Sequence, residues 1–452
     1  METEKEQLVT LRPWQVPLAE KQVERLRRSK VMLSACHAGS GKTYMACHVI
    51  RALGIKTLVV CPKIAISQWK EVIHSMGVDD LVLGVVNPEN LIASKKNPWY
   101  HPDTGWVDEA FGEWKEPLLM VLDECHRGAS GPGSKTTLAV ARWCNKLHPL
   151  NKVLAMSATP FDTPMKLRAL GYLFGFHRFV ENSWYDWLRT KGCDFVDIGW
   201  GHNKRRIFEF TRNKARARGI MLDIRKEMGD GFISVGPDEI PDFPGETREV
   251  VLVDLAKKDH DELVKAYAEM PERIRNMPED DMAKMLRLRQ QAEWCKATAL
   301  AEMAADAVED GYSVFVALNF TDARLRVQSE LEKKGIAYAT VYGGQNQAER
   351  QKGIDDFQNN KIHVIIGMMQ ACSVALSLHD VKHERPRISL ISPGYTSSDV
   401  IQALGRIRRV GGTPAVQKIV LAANSVEERV ARVLNRKIDC IETLVDNDLE
   451  RK

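Results

Sequence analysis

Short apolar runs of strand length recur along this chain and alternate with stretches of helical periodicity. They lie at residues 31–35, 57–61, 118–122 and 152–156 in the first half and at residues 313–318, 339–342, 363–367, 388–391 and 418–422 in the second half. Strands without a polar face are typical of parallel sheets that helices cover on both sides. Two series of such strands predict an α/β fold with two tandem parallel-sheet domains.

Residues 175–245 interrupt this alternation, because they are rich in aromatic and basic residues and end in a segment rich in Gly and Pro. A segment rich in Gly and Pro is typical of loops and turns rather than of a further sheet. We therefore predict an N-terminal domain over residues 1–174, a connector or insertion over residues 175–245 and a C-terminal domain over residues 246–452.

The positive charge of the chain is concentrated in one segment. The net charge is only +4, yet residues 202–226 contain nine Lys or Arg and two acidic residues. A phosphate backbone attracts charge that is concentrated in this way, and the interleaved Phe208 and Phe210 are suited to stacking on bases. The predicted nucleic-acid contacts in this segment are Lys204, Arg205, Arg206, Arg212 and Lys214. The alternative is a solvated helix face.

The cysteines and the apolar runs exclude several other classes of protein. The nine cysteines are scattered singly without a Cys-x-x-Cys pair, which argues against a zinc site or a disulfide framework and indicates a reducing compartment. No apolar run reaches the length of a membrane span, and the polar start of the chain has no targeting signal. We expect a cytoplasmic protein without a membrane partner.

Residues 36–43 (CHAGSGKT) follow an apolar run and precede a predicted helix, which is the context of a phosphate-binding loop. Lys42 is expected to reach the β- and γ-phosphates of ATP, and the hydroxyl of Thr43 is expected to bind Mg²⁺. The turn residues predicted to contact the nucleotide are Ala38, Gly39, Ser40 and Gly41. Cys36 stands where the strict pattern has Gly, so a chance Gly-Lys-Thr turn is the alternative.

Asp123 and Glu124 follow the apolar run 118–122, so they lie where a buried strand ends and where parallel sheets present ligands. Asp123 is predicted to hold Mg²⁺, and Glu124 to orient and deprotonate the attacking water. An acidic pair after a strand is by itself often a simple turn. Together with the phosphate-binding loop it predicts a nucleotide hydrolase.

These motifs, in this order, resemble the superfamily 2 helicases and translocases of the DEAD/DEAH-like kind. The resemblance implies two RecA-like domains. It also implies that Gln15 reads adenine with Arg12 nearby, that Pro62 and Lys63 contact a nucleic-acid backbone, and that His126 links the Mg²⁺ site to later motifs. Residues 157–160 (SATP) resemble the motif that couples the state of ATP to strand contact. Trp69, Trp114 and Trp143 are expected in the core.

Residues 402–409 (QALGRIRR) match a late motif of the same family. Gln402, Arg406 and Arg409 are spaced i, i+4 and i+7, which predicts one face of a helix. Guanidinium groups placed in this way can reach a γ-phosphate held by the other domain, as arginine fingers do. In isolation, the same spacing is also typical of a solvated basic face.

The resemblance implies Mg²⁺-dependent ATP hydrolysis that drives translocation along DNA with unwinding or remodelling, and DNA is favoured over RNA as the partner. Several details, among them residues 11–15 (LRPWQ), resemble the Swi/Snf-like and phage-helicase branch. This resemblance implies replication or recombination proteins as further partners and, if a phage encodes the protein, the host cytoplasm as its location. The alternatives are a duplex translocase that does not separate strands, an RNA helicase, and a binding module that uses nucleotide only to change shape.

Overall fold

The computed structural model describes residues 8–89, 100–101, 105–106, 117–128, 139, 150–198, 205–255, 257, 261, 263, 265, 282–372 and 376–445. These residues form two compact units. The first unit comprises the described residues within Met1–Val196, Phe208–Pro241 and Asp439–Lys452. The second comprises those within Asp197–Ile207 and Asp242–Ile438.

A six-stranded, wholly parallel sheet with the order β10–β1–β7–β6–β2–β3 organises the first unit. Its strands are β1 (Val31–Ser34), β2 (Thr57–Val60), β3 (Val82–Val86), β6 (Leu119–Asp123), β7 (Lys152–Met156) and β10 (Phe232–Ile233). Successive residues of a strand point to opposite faces, so Leu33 packs into one hydrophobic cluster and Met32 into another. Both faces of the central strands are therefore buried, as their continuous apolar sequence requires.

The helices of the first unit cover these two faces. They are α1 (Gln15–Arg28), α2 (Lys42–Leu53), α3 (Ile66–Ser75), α4 (Cys125–Gly128), α5 (Arg168–Leu173), α6 (Glu181–Thr190) and α7 (Lys214–Met228). Helix α1 buries Ala19, Val23 and Leu26, which recur every three or four residues and so lie on one face. Two short two-stranded sheets pair β4 (Tyr100–His101) with β5 (Gly105–Trp106) and β8 (Cys193–Ile198) with β9 (Arg205–Phe210).

The second unit contains another six-stranded parallel sheet, in the order β11–β16–β15–β12–β14–β13. Its strands are β11 (Glu246–Val253), β12 (Ser313–Leu318), β13 (Tyr338–Val341), β14 (Val364–Met368), β15 (Arg387–Ile391) and β16 (Ala415–Ala422). Its helices are α8 (Met282–Cys295), α9 (Ala297–Glu309), α10 (Thr321–Lys333), α11 (Gln347–Gln358), α12 (Met369–Cys372), α13 (Ser397–Leu404) and α14 (Val426–Val445), of which the residues from Asp439 onward belong to the first unit. A buried ion pair joins Lys296 to Glu427 at 2.6 Å.

The segment predicted as a connector over residues 175–245 forms α6, β8, β9, α7 and β10. Most of it packs on the first unit, since Trp184, Trp187 and Met221 belong to the hydrophobic cluster on one face of the first sheet. The strand β10 also pairs with β1. The predicted boundary at residue 174 therefore differs from the grouping by contacts, because this segment completes the first sheet and its core.

The predicted fold class, two RecA-like parallel-sheet domains in tandem, is confirmed. Each apolar run named above forms a strand, with ends shifted by up to three residues. In the two six-stranded sheets, the strands β3, β10 and β11 were not predicted, and neither were the strands of the two short sheets. No helix among the described residues is long and apolar enough to cross a membrane.

Candidate nucleotide and nucleic-acid sites

Three neighbouring strands of the first sheet end at the same level. Ser34 of β1 and Asp123 of β6 are both in register with Met156 of β7, which lies between them. Because the three strands are parallel, the residues that follow them leave the sheet at one edge. The structure thus brings together the predicted phosphate-binding loop, the acidic pair and the SATP segment.

The loop after β1 has the backbone of a phosphate-binding turn. Gly39 (φ 83°) and Gly41 (φ 77°) both occupy the left-handed region that favours glycine, and α2 begins at Lys42. The backbone N–H groups at this helix N-terminus have no partner within the helix and are suited to an anion. Lys42 Nζ donates hydrogen bonds to the carbonyl oxygens of Cys36 (3.0 Å) and His37 (3.2 Å). Ala38 and Thr43 are half-buried.

Gln15, which is predicted to recognise adenine, stabilises this loop by hydrogen bonds. Its Nε2 donates to the carbonyl oxygen of Ser40 at 2.8 Å, and its Oε1 accepts from the backbone N–H of Arg12 at 2.9 Å. The Gln15 side chain is buried and lies where a Cβ at Gly41 would be only 2.3 Å from Nε2. The amide therefore fixes the loop, and adenine recognition by Gln15 and Arg12 stays a prediction.

Asp123 is the last residue of β6, and two donors fix its carboxylate. The indole Nε1 of Trp69 donates to Oδ2 at 2.8 Å, and the backbone N–H of Glu124 donates to Oδ1 at 3.0 Å. Burial and, secondly, the neighbouring Glu124 raise the pKa of Asp123 from its ordinary value of 3.8 to about 6. Trp69 is buried, as predicted, but its bond to Asp123 was not foreseen.

Glu124 is held by a small polar network. The Oγ of Ser157 donates to Glu124 Oε2 at 3.3 Å and accepts from the backbone N–H of Thr159 at 3.0 Å. The Nδ1 of His126 lies 2.8 Å from the same Oγ and 3.4 Å from Glu124 Oε2. Glu124 itself has φ 49°, a strained value for a residue with a side chain. His126 thus contacts the SATP segment through Ser157, and its role as a link from the Mg²⁺ site to later motifs stays a prediction.

The prediction that Gln402, Arg406 and Arg409 share one helix face is wrong. Helix α13 ends at Leu404, so only Gln402 lies on it, and both arginines come after the end of the helix. The two arginines nevertheless converge, because Arg406 Nη1 and Arg409 Nη2 donate to the carbonyl oxygen of Leu376 at 3.2 and 2.8 Å. Gln402 and Arg406 are buried.

The predicted nucleic-acid contacts fall into two groups. Pro62 and Lys63 follow β2 at the same edge as the phosphate-binding loop, and Lys63 is exposed. In the basic segment, Lys204 and the side chain of Arg205 lie outside the described residues, and Arg206 is exposed.

Some residues of the basic segment have partners within the protein, either acidic side chains or other aromatic rings. Arg212 forms two hydrogen bonds with Glu209, and Lys214 lies 3.1 Å from Asp439. Phe208 packs edge-on against Phe195 and Tyr185. The expected base stacking by Phe208 is thus not supported, because its ring is engaged in packing.

Comparison with known proteins yields two family matches in chain order. Residues 8–162 match the family described as the type III restriction enzyme, res subunit. Residues 295–411 match the helicase conserved C-terminal domain. The first match spans the phosphate-binding loop and Asp123–Glu124, and the second spans Arg406 and Arg409.

Individual proteins that are similar to this chain indicate the same family. A protein of Acanthamoeba polyphaga mimivirus that provisionally bears the name ATP-dependent RNA helicase is 28% identical over 93% of this chain and 81% of its own length. The ATP-dependent helicase rhp16 of Schizosaccharomyces pombe is 26% identical over 28% of this chain, and the chromatin remodeling factor mit1 of the same yeast is 24% identical over 32%. These matches span only 15% and 10% of the two yeast proteins. The chain belongs to the superfamily 2 helicases and is an ATP-hydrolysing enzyme.

Proposed function

We propose that this enzyme hydrolyses ATP with Mg²⁺ at the edge of the first sheet and uses the energy to move along DNA, unwinding or remodelling it. The observation that carries this proposal is the common level at which β1, β7 and β6 end. The loop at residues 38–43, the Asp123 carboxylate and the Glu124 carboxylate, which Ser157 holds, all follow these strand ends, and this supports the proposal. Phosphoryl transfer to water requires these three groups: an anion cradle, a metal ligand and a residue that orients water.

ATP phosphates fit the loop at residues 38–43. The glycine backbone at Gly39 and Gly41 and the N-terminus of α2 supply N–H groups, and the Lys42 ammonium supplies charge. In the structure that ammonium is hydrogen bonded to carbonyl oxygens at the base of the same loop. Binding of the β- and γ-phosphates would replace these neutral acceptors with charged ones, which bind an ammonium more strongly.

Mg²⁺ fits the oxygen donors of Thr43 and Asp123. Mg²⁺ prefers oxygen ligands and is usually held by one or two carboxylates together with substrate phosphates. Burial and, secondly, the neighbouring Glu124 raise the pKa of Asp123, and a bound cation would stabilise the ionised form of this carboxylate. Bound there, the ion would neutralise charge on the transferring phosphoryl group.

Glu124 is proposed as the base that orients the attacking water. Ser157 holds one of its carboxylate oxygens, and His126 lies against the same hydroxyl. Because Thr159 also bonds that hydroxyl, a shift of the SATP segment would move the base. This supports a coupling between hydrolysis and that segment.

In the second unit, Gln402, Arg406 and Arg409 are proposed to assist the same hydrolysis. The shared contact of the two arginines with the Leu376 carbonyl oxygen keeps their guanidinium groups together, which supports a joint action on one phosphoryl group. Loss of an arginine finger typically lowers the rate by about 10³–10⁵. The corresponding test is the turnover of Arg406→Ala with ATP affinity measured in parallel.

DNA is proposed as the nucleic acid along which the enzyme moves, because several sequence details resemble the Swi/Snf-like and phage-helicase branch. The mimivirus relative bears the name of an RNA helicase, so RNA is the second candidate. Pro62, Lys63, Arg206, Arg212 and Lys214 are the proposed contacts among the described residues, and Lys204 and Arg205 complete the set. Contacts of this kind bind phosphates rather than bases and give affinity without sequence preference.

The decisive experiment measures ATP turnover with single-stranded DNA, duplex DNA, forked DNA and single-stranded RNA. We expect stimulation by DNA and its loss in Lys42→Ala, whereas Lys30→Ala should behave like wild type. Lys30 is the matched control, since it is an exposed lysine directly before the other end of β1. Strong stimulation by RNA alone would replace the DNA proposal, and turnover retained in Lys42→Ala would refute the site.

A further inference from the structure

Trp69 connects the core of the first unit to the predicted metal ligand. It lies on α3, its side chain is 1% exposed, and its ring packs in the hydrophobic cluster that contains Val59 and Val121. Its indole N–H nevertheless points to a carboxylate, Asp123 Oδ2, at 2.8 Å. The two residues are 54 positions apart in the sequence.

The hydrogen bonds at Asp123 indicate that the contact with Trp69 does more than give a buried indole N–H group an acceptor. A buried indole N–H needs an acceptor, and a backbone carbonyl would suffice. Here the acceptor is the carboxylate, whose other oxygen accepts from the backbone N–H of Glu124 at 3.0 Å. One donor on each oxygen fixes the rotation of the group. Since an ionised carboxylate has about four acceptor positions, others remain for a cation.

We propose that Trp69 is a positioning residue that holds the Asp123 carboxylate in the orientation that binds Mg²⁺ with the nucleotide. This inference rests on the proposed function of Asp123 and adds a residue to the same site. Trp69 does not touch the reacting atoms. It contributes one hydrogen bond to Asp123, and the direction of this bond is fixed because packing holds the indole ring in place.

The test removes the hydrogen-bond donor of Trp69 in two variants. Trp69→Phe removes the N–H together with part of the indole, and site-specific benzothienylalanine at position 69 removes the N–H while preserving the bicyclic shape. Trp187→Phe is the matched control, because Trp187 is also a buried tryptophan of the first unit but packs in the other hydrophobic cluster, where it stacks on Trp184 and Phe176.

The first readout is the affinity of the full-length protein for Mn²⁺ in the presence of ADP, measured by electron paramagnetic resonance. Loss of a residue that orients a metal ligand typically weakens metal affinity by about 10–100-fold. We expect roughly tenfold weaker Mn²⁺ binding in both Trp69 variants. Metal-free ADP binding should be unchanged, and Trp187→Phe should match wild type.

The second readout is the Trp69 indole N–H signal in a proton–nitrogen spectrum of tryptophan-labelled protein, which Trp69→Phe identifies. Asp123→Asn should shift this signal and weaken Mn²⁺ binding. If Asp123→Asn weakens Mn²⁺ binding while benzothienylalanine leaves it at the wild-type value, the role of Trp69 is refuted and the metal site stands. If Asp123→Asn itself leaves Mn²⁺ binding unchanged, the proposed metal site fails, and the role of Trp69 fails with it.

Discussion

Gly41 is the position where one added methyl group tests the structure of the phosphate-binding loop. Its φ of 77° lies in the left-handed region, and a Cβ there would be 2.3 Å from Gln15 Nε2. Gln15 cannot simply move aside, because it is hydrogen bonded to the Ser40 carbonyl and to the Arg12 N–H. Gly41→Ala should therefore strain the backbone and break both bonds.

The magnitude follows from these contacts. A left-handed backbone costs alanine roughly 1 kcal/mol, and each lost hydrogen bond costs about 1 kcal/mol. We expect Gly41→Ala to lower the free energy of unfolding of the first unit by about 3 kcal/mol. In a Gln15→Ala background the clash and both bonds are already absent, so only the backbone strain of about 1 kcal/mol should remain. The coupling energy between the two substitutions is then about 2 kcal/mol.

Urea unfolding followed by tryptophan fluorescence measures all four proteins of this cycle. Gly175→Ala is the matched control, because Gly175 has φ 83° and no other atom lies within 4 Å of the position that a Cβ would take, so it reports backbone strain alone. ATP affinity should fall in Gly41→Ala and not in Gly175→Ala. Equal losses of stability in the two alanine variants, or additive losses in the cycle, would show that Gln15 does not brace the loop.

Three further perturbations follow from contacts described above. Ser157→Ala removes the hydroxyl that holds Glu124, so kcat should fall by about 10²-fold with little change in KM for ATP, measured by steady-state kinetics. Lys296→Met leaves Glu427 buried without its partner and should lower the free energy of unfolding by about 3–5 kcal/mol, with recovery in a double variant that also carries Glu427→Gln. The raised pKa of Asp123 means that the metal-free folded state binds a proton more tightly than the unfolded state. Its contribution to stability is therefore present at low pH and is lost as pH rises from 3.8 to about 6. The stability of wild type relative to Asp123→Asn should decrease over that range in urea unfolding, and a difference that increases with pH would contradict the assignment.

Most of the strands that the sequence predicted are almost wholly buried, whereas in the edge strand β13 buried residues alternate with half-buried ones. β10 was missed because two residues carry no periodic signal, and β11 was missed because it begins with Glu246, Thr247, Arg248 and Glu249. β11 is an edge strand with one neighbour, and Val250 and Leu252 are more than half exposed, so its environment does not impose an apolar pattern.

The residues of the nucleotide site that could be predicted lie within short motifs. The phosphate-binding loop and Asp123–Glu124 each follow a strand directly, so local sequence fixes their position at the strand ends. The contacts of Trp69 with Asp123 and of Gln15 with Ser40 could not be predicted, because each joins elements that meet only after the sheet and its helices have packed. No local pattern specifies which acceptor a buried donor meets.

Arg406 and Arg409 show that residue spacing alone does not determine whether two side chains share a helix face. A spacing of four and three predicts a shared helix face only if the helix continues, and Gly405 directly follows the last turn of α13. Glycine is a weak helix former and costs about 1 kcal/mol within a helix, so the helix ends there. The chain then turns, and Leu378 N–H bonds to the carbonyl oxygen of Arg406, while Arg406 and Arg409 both bond to the carbonyl oxygen of Leu376. A second backbone segment, rather than helical periodicity, therefore brings the two guanidinium groups together. Arginine function should accordingly depend on the backbone at Leu376 as well as on Arg406 and Arg409 themselves.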